Sequence, residues 1–174
     1  GGGGGGGGSG GLRAVALSKD HNPEDAKERR RIAAAGGFVE AGRVGGCLEV
    51  SRSLGDPRFK PLGVSAIPDV TSFPVGAAQR FVLMGCDGVW KVFDGQRAIE
   101  FVHERLPKLD ARRAQLTAQL SDPAAVSALT KDALGALRSE RDAACEAGLL
   151  RELLHEAVAV RHAKDNCTVL LVRF

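Results

Sequence analysis

Two aspartates carry the chemistry that this sequence suggests most directly. Asp87 follows the apolar run 81–86 and precedes Gly88, while Asp165 precedes the apolar run 167–173. A carboxylate delivered by an apolar strand is costly unless something pairs with it. If the two runs are neighbouring antiparallel strands, both carboxylates fall at one end of a sheet. There they repel and raise a pKa unless a cation sits between them. Hard divalent ions such as Mg²⁺ and Mn²⁺ select oxygen ligands and retain several waters, so the pair makes sense as half of a metal site. Gly88 suits close approach of backbone or ion. A plainer reading stays open on spacing alone: Asp-Gly is a common turn and Asp-Asn a common bend.

The elements that must position these residues can be read from pattern and punctuation. Residues 12–18 (LRAVALS) alternate as a strand. A helix is expected over DHNPEDAKERRRIAAAGG, with Asn22 as cap, Pro23 at the first helical position, and Gly36–Gly37 as its stop. Its cluster Lys27, Arg29, Arg30 and Arg31 reads first as a solvated face and second as a contact for phosphate. FVEAGRVGGCLEV reads as short strands joined by glycine turns, SRSLGD as a loop, and IPDVTSFPV as a further strand. DGQRAIEFVHERL is a helix capped by Asp94 and ended by Pro107. Residues 107–147 form a helical insertion, broken at Asp122-Pro123, before a last helix with an apolar face through Leu149, Leu150, Leu153, Leu154, Ala157 and Val158. Sheet and helices in separate layers give an α/β (α+β) protein.

Bulk properties exclude more than they assign. The 174 residues, 44% hydrophobic, suffice for one core. The net charge of +3 points to neither nucleic acid nor membrane. Aromatic content of 5% with no tyrosine offers few stacking platforms for single-stranded nucleic acid. No apolar run approaches the roughly 18 residues of a membrane span. Cys47, Cys86, Cys145 and Cys167 form no C-x-x-C pair, which favours a reducing compartment, cytoplasmic or nuclear. Residues 1–11 are almost entirely glycine and read as a linker or low-complexity tract. The chain does not begin with methionine, so a piece of a longer protein is expected.

The blocks LSKDHNPEDAKERRRIAAAGGFVEAGRVGGCLEVSRSLGDPRFK, IPDV, FVLMGCDGVWKVF and KDNCTVLLVRF resemble, in that order, the latter part of the metal-dependent serine/threonine phosphatases of type 2C (the PPM family). Within it they look most like the integrin-linked-kinase-associated branch. The resemblance covers residues 12–106 and 148–174 and makes 12–174 the C-terminal portion of such a domain. It implies a partial four-layer α-β-β-α sandwich lacking its N-terminal strands, with Asp87 and Asp165 as metal ligands. It also implies two Mn²⁺ or Mg²⁺ ions in the complete domain and hydrolysis of phosphoserine and phosphothreonine by a metal-bridging water. Phosphorylated proteins are then the partners, and the complete protein is expected to be monomeric.

Two departures qualify that expectation. Where the family often has a second aspartate four residues after the first, this chain has Lys91, which argues against the usual third metal site. The resembling branch also carries lysine there, so Lys91 alone does not argue against activity. The family's proton donor and phosphate-binding arginine belong to blocks missing here, so no catalytic side chain is assigned. The 174 residues alone are expected to be inactive and poorly folded, with sheet edges and apolar faces exposed. The alternative is a non-catalytic, phosphatase-like binding or regulatory module. Cys47 and Arg52 lack the spacing of a cysteine phosphatase loop. His21, His103, His155 and His162 lack ligand companions. Ser51, Arg52 and Asp56 are read as shaping a loop.

Overall fold

The computed structural model describes residues 12–174, so the glycine tract 1–11 lies outside the described residues. The chain forms two compact units, one of Ala16–Pro74 and one of Val75–Phe174 together with residues 12–15.

The smaller unit is built on α1 (Ala26–Ala34) and the two-residue strands β1 (Val39–Glu40) and β2 (Arg43–Val44), paired antiparallel. Ile32, Val44 and Val64 are its buried centre, packed with Val39, Leu48, Phe59 and Leu62. Gly63 has φ +92°, and a Cβ there would lie 2.8 Å from Ile32 Cα, so only glycine lets this loop close on the helix. The helix begins later than the sequence suggests. Asp25 is its N-cap, whereas the Asn22 side chain accepts from the Glu24 N–H at 2.9 Å in a turn leading in.

The second clue to this unit's stability is polar. Glu28 is buried on α1, and its carboxylate receives Arg52 (2.5 Å), the Ser51 hydroxyl (2.7 Å) and Arg31 (2.6 Å). Arg52 also donates to the Ile67 carbonyl (2.9 Å) and to Asp69 (2.8 Å). These contacts tie the SRSLGD loop to α1 and to segment 67–69. The Arg52 guanidinium holds the Glu28 carboxyl at about 2, well below its ordinary 4.5. Arg31 is therefore a structural residue, donating also to the Gly63 and Ser51 carbonyls, while Lys27, Arg29 and Arg30 are exposed.

The larger unit contains β3 (Phe81–Gly85), α2 (Asp87–Trp90), α3 (Gly95–Ser121), α4 (Pro123–Ser127), α5 (Lys131–Ala143), α6 (Glu146–His155) with a π turn through Val160, and β4 (Val169–Arg173). Strands β3 and β4 pair antiparallel with Phe81 opposite Arg173 and Gly85 opposite Val169. One face of this ribbon, Phe81, Leu83, Val169 and Leu171, packs on the core of Val89, Phe93, Ala98, Val102, Leu106, Leu149, Leu153 and Ala157. The strand period of two sends Met84, Leu170 and Val172 to the other face. These side chains are 44%, 54% and 39% exposed, so the ribbon carries an uncovered apolar face, as the sequence leads one to expect.

Three expectations need correction. Pro107 does not end α3, which runs on to Ser121. Leu106 and Leu116 are buried on either side of it and Leu109 packs on the core, so side-chain burial outweighs the proline's local cost. Residues 12–18 are not a strand, because no neighbouring strand exists among the described residues. Instead the Gln96 side chain serves this backbone, accepting from the Ala14 N–H (2.8 Å) and donating to the Leu12 carbonyl (2.9 Å). Segment 67–75 likewise forms no strand, with Pro68 and Pro74 removing donors and Ile67 and Val70 exposed. The break at Asp122-Pro123 appears as expected, Asp122 capping α4.

Candidate metal centre

Register brings the two aspartates together. Because Gly85 pairs with Val169, the chain leaves β3 into Asp87 beside the point where it enters β4 from Asp165. The Cys86 N–H donates to the Thr168 carbonyl at 3.1 Å, extending the ladder one step towards the site. Gly88 then explains itself. A Cβ on it would stand 2.3 Å from the Asn166 carbonyl oxygen, so a side chain there would push the two strand ends apart. The close approach that the sequence leads one to expect at Gly88 is an approach of protein backbone.

The first turn of α2 hangs from Cys86. Its thiol receives the Thr168 N–H at 3.2 Å, which lowers its pKa, and the N–H groups of Gly88 and Val89 lower it further. Trp90 donates its indole N–H to the Gly85 carbonyl at 2.7 Å and closes the base of the turn. This anchoring fixes Asp87 at the mouth of the ribbon with its side chain 59% exposed; Asp165 is 51% exposed.

Both carboxylates converge on one cation supplied by the chain itself. Lys91 Nζ lies 2.8 Å from Asp87 Oδ2 and 3.2 Å from Asp165 Oδ2. Helical spacing places Lys91 one turn beyond Asp87, and the Lys91 N–H donates to the Asp87 carbonyl at 2.8 Å. The ammonium lowers the pKa of Asp87 and its own is raised, Asp87 being the larger partner and Asp165 the second.

The donor chemistry fits a hard divalent cation: two exposed carboxylates facing one point, with room for water ligands. The number falls short, since no cluster of three or more His, Cys, Asp or Glu side chains occurs among the described residues. The aspartates therefore fit as two ligands of an ion whose remaining ligands come from water or other groups.

Sequence comparison decides the lineage. Residues 5–133 match protein phosphatase 2C. The chain belongs to the protein phosphatase 2C family. That match includes Asp87 and stops short of Asp165, whereas individual relatives extend over more of the chain. Human integrin-linked kinase-associated serine/threonine phosphatase 2C is 38% identical over 160 residues, covering 92% of this chain and 35% of the relative. Probable protein phosphatase 2C 67 of Oryza sativa is 36% identical over 164 residues, covering 94% and 35%. Probable protein phosphatase 2C 6 of Paramecium tetraurelia is 47% identical over 98 residues, covering 52% and 33%. The chain thus spans about a third of the length of these curated 2C relatives.

Solved structures agree on fold. A phosphatase from Toxoplasma gondii superposes with TM-score 0.63 at 26% identity, covering 91% of this chain and 41% of that one. A Caenorhabditis elegans sex-determining protein gives TM-score 0.60 at 27% identity, covering 89% and 31%. The mixed helix-and-strand architecture is that of part of a 2C domain.

Sequence reasoning singled out Asp87, Asp165 and the awkward charge of Lys91 as candidates, but not that Lys91 reaches both carboxylates. It also missed Glu28, the single acid inside a basic run, which reads locally as part of a solvated face. The only signal for Glu28 is its companion Arg52 in the SRSLGD loop, far away in sequence.

Proposed function

We propose that this chain is the metal-binding C-terminal part of a protein serine/threonine phosphatase, active in a longer chain on phosphoserine and phosphothreonine in proteins. The observation that carries the reading is the convergence of Asp87 and Asp165 on one point at the end of the β3–β4 ribbon. In this reading the two carboxylates hold Mg²⁺ or Mn²⁺. Such ions, when bound, lower the pKa of water and neutralise charge developing on phosphoryl oxygens.

The chain's own residues do the positioning. Gly88 permits the tight strand ends, Cys86 and Trp90 fix the first turn of α2, and the two exposed carboxylates face the solvent from which a phosphorylated side chain arrives. In this reading the chain supplies two acidic ligands and turnover belongs to a longer chain that carries the rest of the site.

The test is phosphate release from a phosphothreonine peptide by the complete gene product in Mn²⁺, with the 174-residue chain beside it. We expect turnover by the former, abolished in Asp87→Asn and Asp165→Asn, and none by the latter. Metal-independent turnover, or turnover indifferent to both substitutions, overturns the reading. A second reading, a phosphatase-like binding module, is favoured by one observation: the carboxylate pair is already satisfied by Lys91. It predicts no turnover by the complete protein but retained binding of the phosphopeptide.

A further inference from the structure

The ammonium of Lys91 stands at the point where the two carboxylates converge. Its position is not a chance of a flexible side chain. The α2 turn sets Lys91 over Asp87, and the β3–β4 register sets Asp165 across from both. Two acids this close need a positive charge, and the fold provides one from four residues along its own helix. We propose that Lys91 is a built-in competitor for the metal: its ammonium neutralises Asp87 and Asp165 together when no divalent ion is bound, and an ion enters only by displacing it. The proposal rests on the reading that these aspartates hold a divalent cation.

The consequence is a tuned affinity. An entering Mn²⁺ or Mg²⁺ must replace the ion pair to Asp87 and the charge-assisted hydrogen bond to Asp165, and the displaced ammonium, tethered one helical turn away, still repels it. The backbone of the α2 turn and the β3–β4 register, not the ammonium, set where the two carboxylates stand. Replacing the charge by an apolar side chain of similar length removes the competition and leaves the aspartates in place. With the dielectric of water, losing a positive charge about one helical turn away strengthens divalent binding by up to about tenfold at low salt. Arginine at the same position keeps the competing charge.

The test is Mn²⁺ binding to the full 174-residue chain, followed by the electron paramagnetic resonance of free Mn²⁺. We expect Lys91→Met to tighten binding by up to about tenfold at low salt, Lys91→Arg to leave it near the parent value, and Asp87→Asn to weaken it. Binding by the parent chain that depends on Asp87 yet does not tighten in Lys91→Met overturns the role of Lys91 and leaves the metal reading standing. Absence of binding in both parent and Lys91→Met overturns the two together. If Lys91→Met does not fold, the parent chain supplies the readout: labelling of Lys91 by an amine-reactive ester, relative to exposed Lys131, rises on adding Mg²⁺. Unchanged relative labelling at a Mg²⁺ concentration that protects the chain against heat overturns the proposal.

Discussion

Replacing Glu28 by glutamine tests whether the smaller unit is held by its buried charge cluster. The substitution keeps size and shape and removes one negative charge from beneath Arg52, Arg31 and Ser51. Moving the Glu28 carboxyl from its ordinary 4.5 to about 2 corresponds to about 3 kcal/mol of stability. The sign follows from the lowered folded-state pKa. The contribution is complete above pH 4.5, shrinks as pH falls through the window from 4.5 towards 2, and is absent below it. Arg52 retains Asp69 and the Ile67 carbonyl, so about 3 kcal/mol is also a reasonable ceiling for the loss at neutral pH. The assay is urea unfolding followed by circular dichroism at pH 7 and again at pH 3. We expect Glu28→Gln to lower stability by about 2–3 kcal/mol at pH 7 and by about half that or less at pH 3. An equal loss at both values would show that the carboxylate charge is not what holds the loop to the helix.

Gly88→Ala forces a methyl group to within 2.3 Å of the Asn166 carbonyl; thermal unfolding should show a loss of about 2 kcal/mol or more. Asp94 accepts from the N–H groups of Gln96 and Arg97, so Asp94→Ala should cost about 1 kcal/mol by urea unfolding. Substituting Met84→Gln and Leu170→Thr together polarises the uncovered face of the ribbon; sedimentation should show less self-association without lost helicity.

The residues that could be read from sequence are those whose local pattern and tertiary role coincide. Asp94 is a cap by type and caps in the fold. The runs at 81–86 and 167–173 are short, apolar and ended by aspartates, and they pair as adjacent strands. Where pattern and tertiary role part, reading fails for identifiable reasons. The apolar residues of 12–18 and 67–75 make a strand only if a neighbouring strand accepts its hydrogen bonds, and none does among the described residues. Pro107 obeys its local rule only until burial of Leu106 and Leu116 outweighs it. The Glu28–Arg52 pair and the double contact of Lys91 are non-local, with partners 24 and 74 residues away, and no window along the chain contains them. At the candidate centre, residue type singled out Asp87 and Asp165 as candidates, and only geometry revealed that Lys91 reaches both.

The most direct test of the central claim is the binding of Mn²⁺ to the parent chain and to the double variant Asp87→Asn/Asp165→Asn, both checked for unchanged circular dichroism. The account predicts saturable binding by the parent chain that the double variant loses. Equal binding by the two proteins would contradict it and return the aspartates to the role of turn residues.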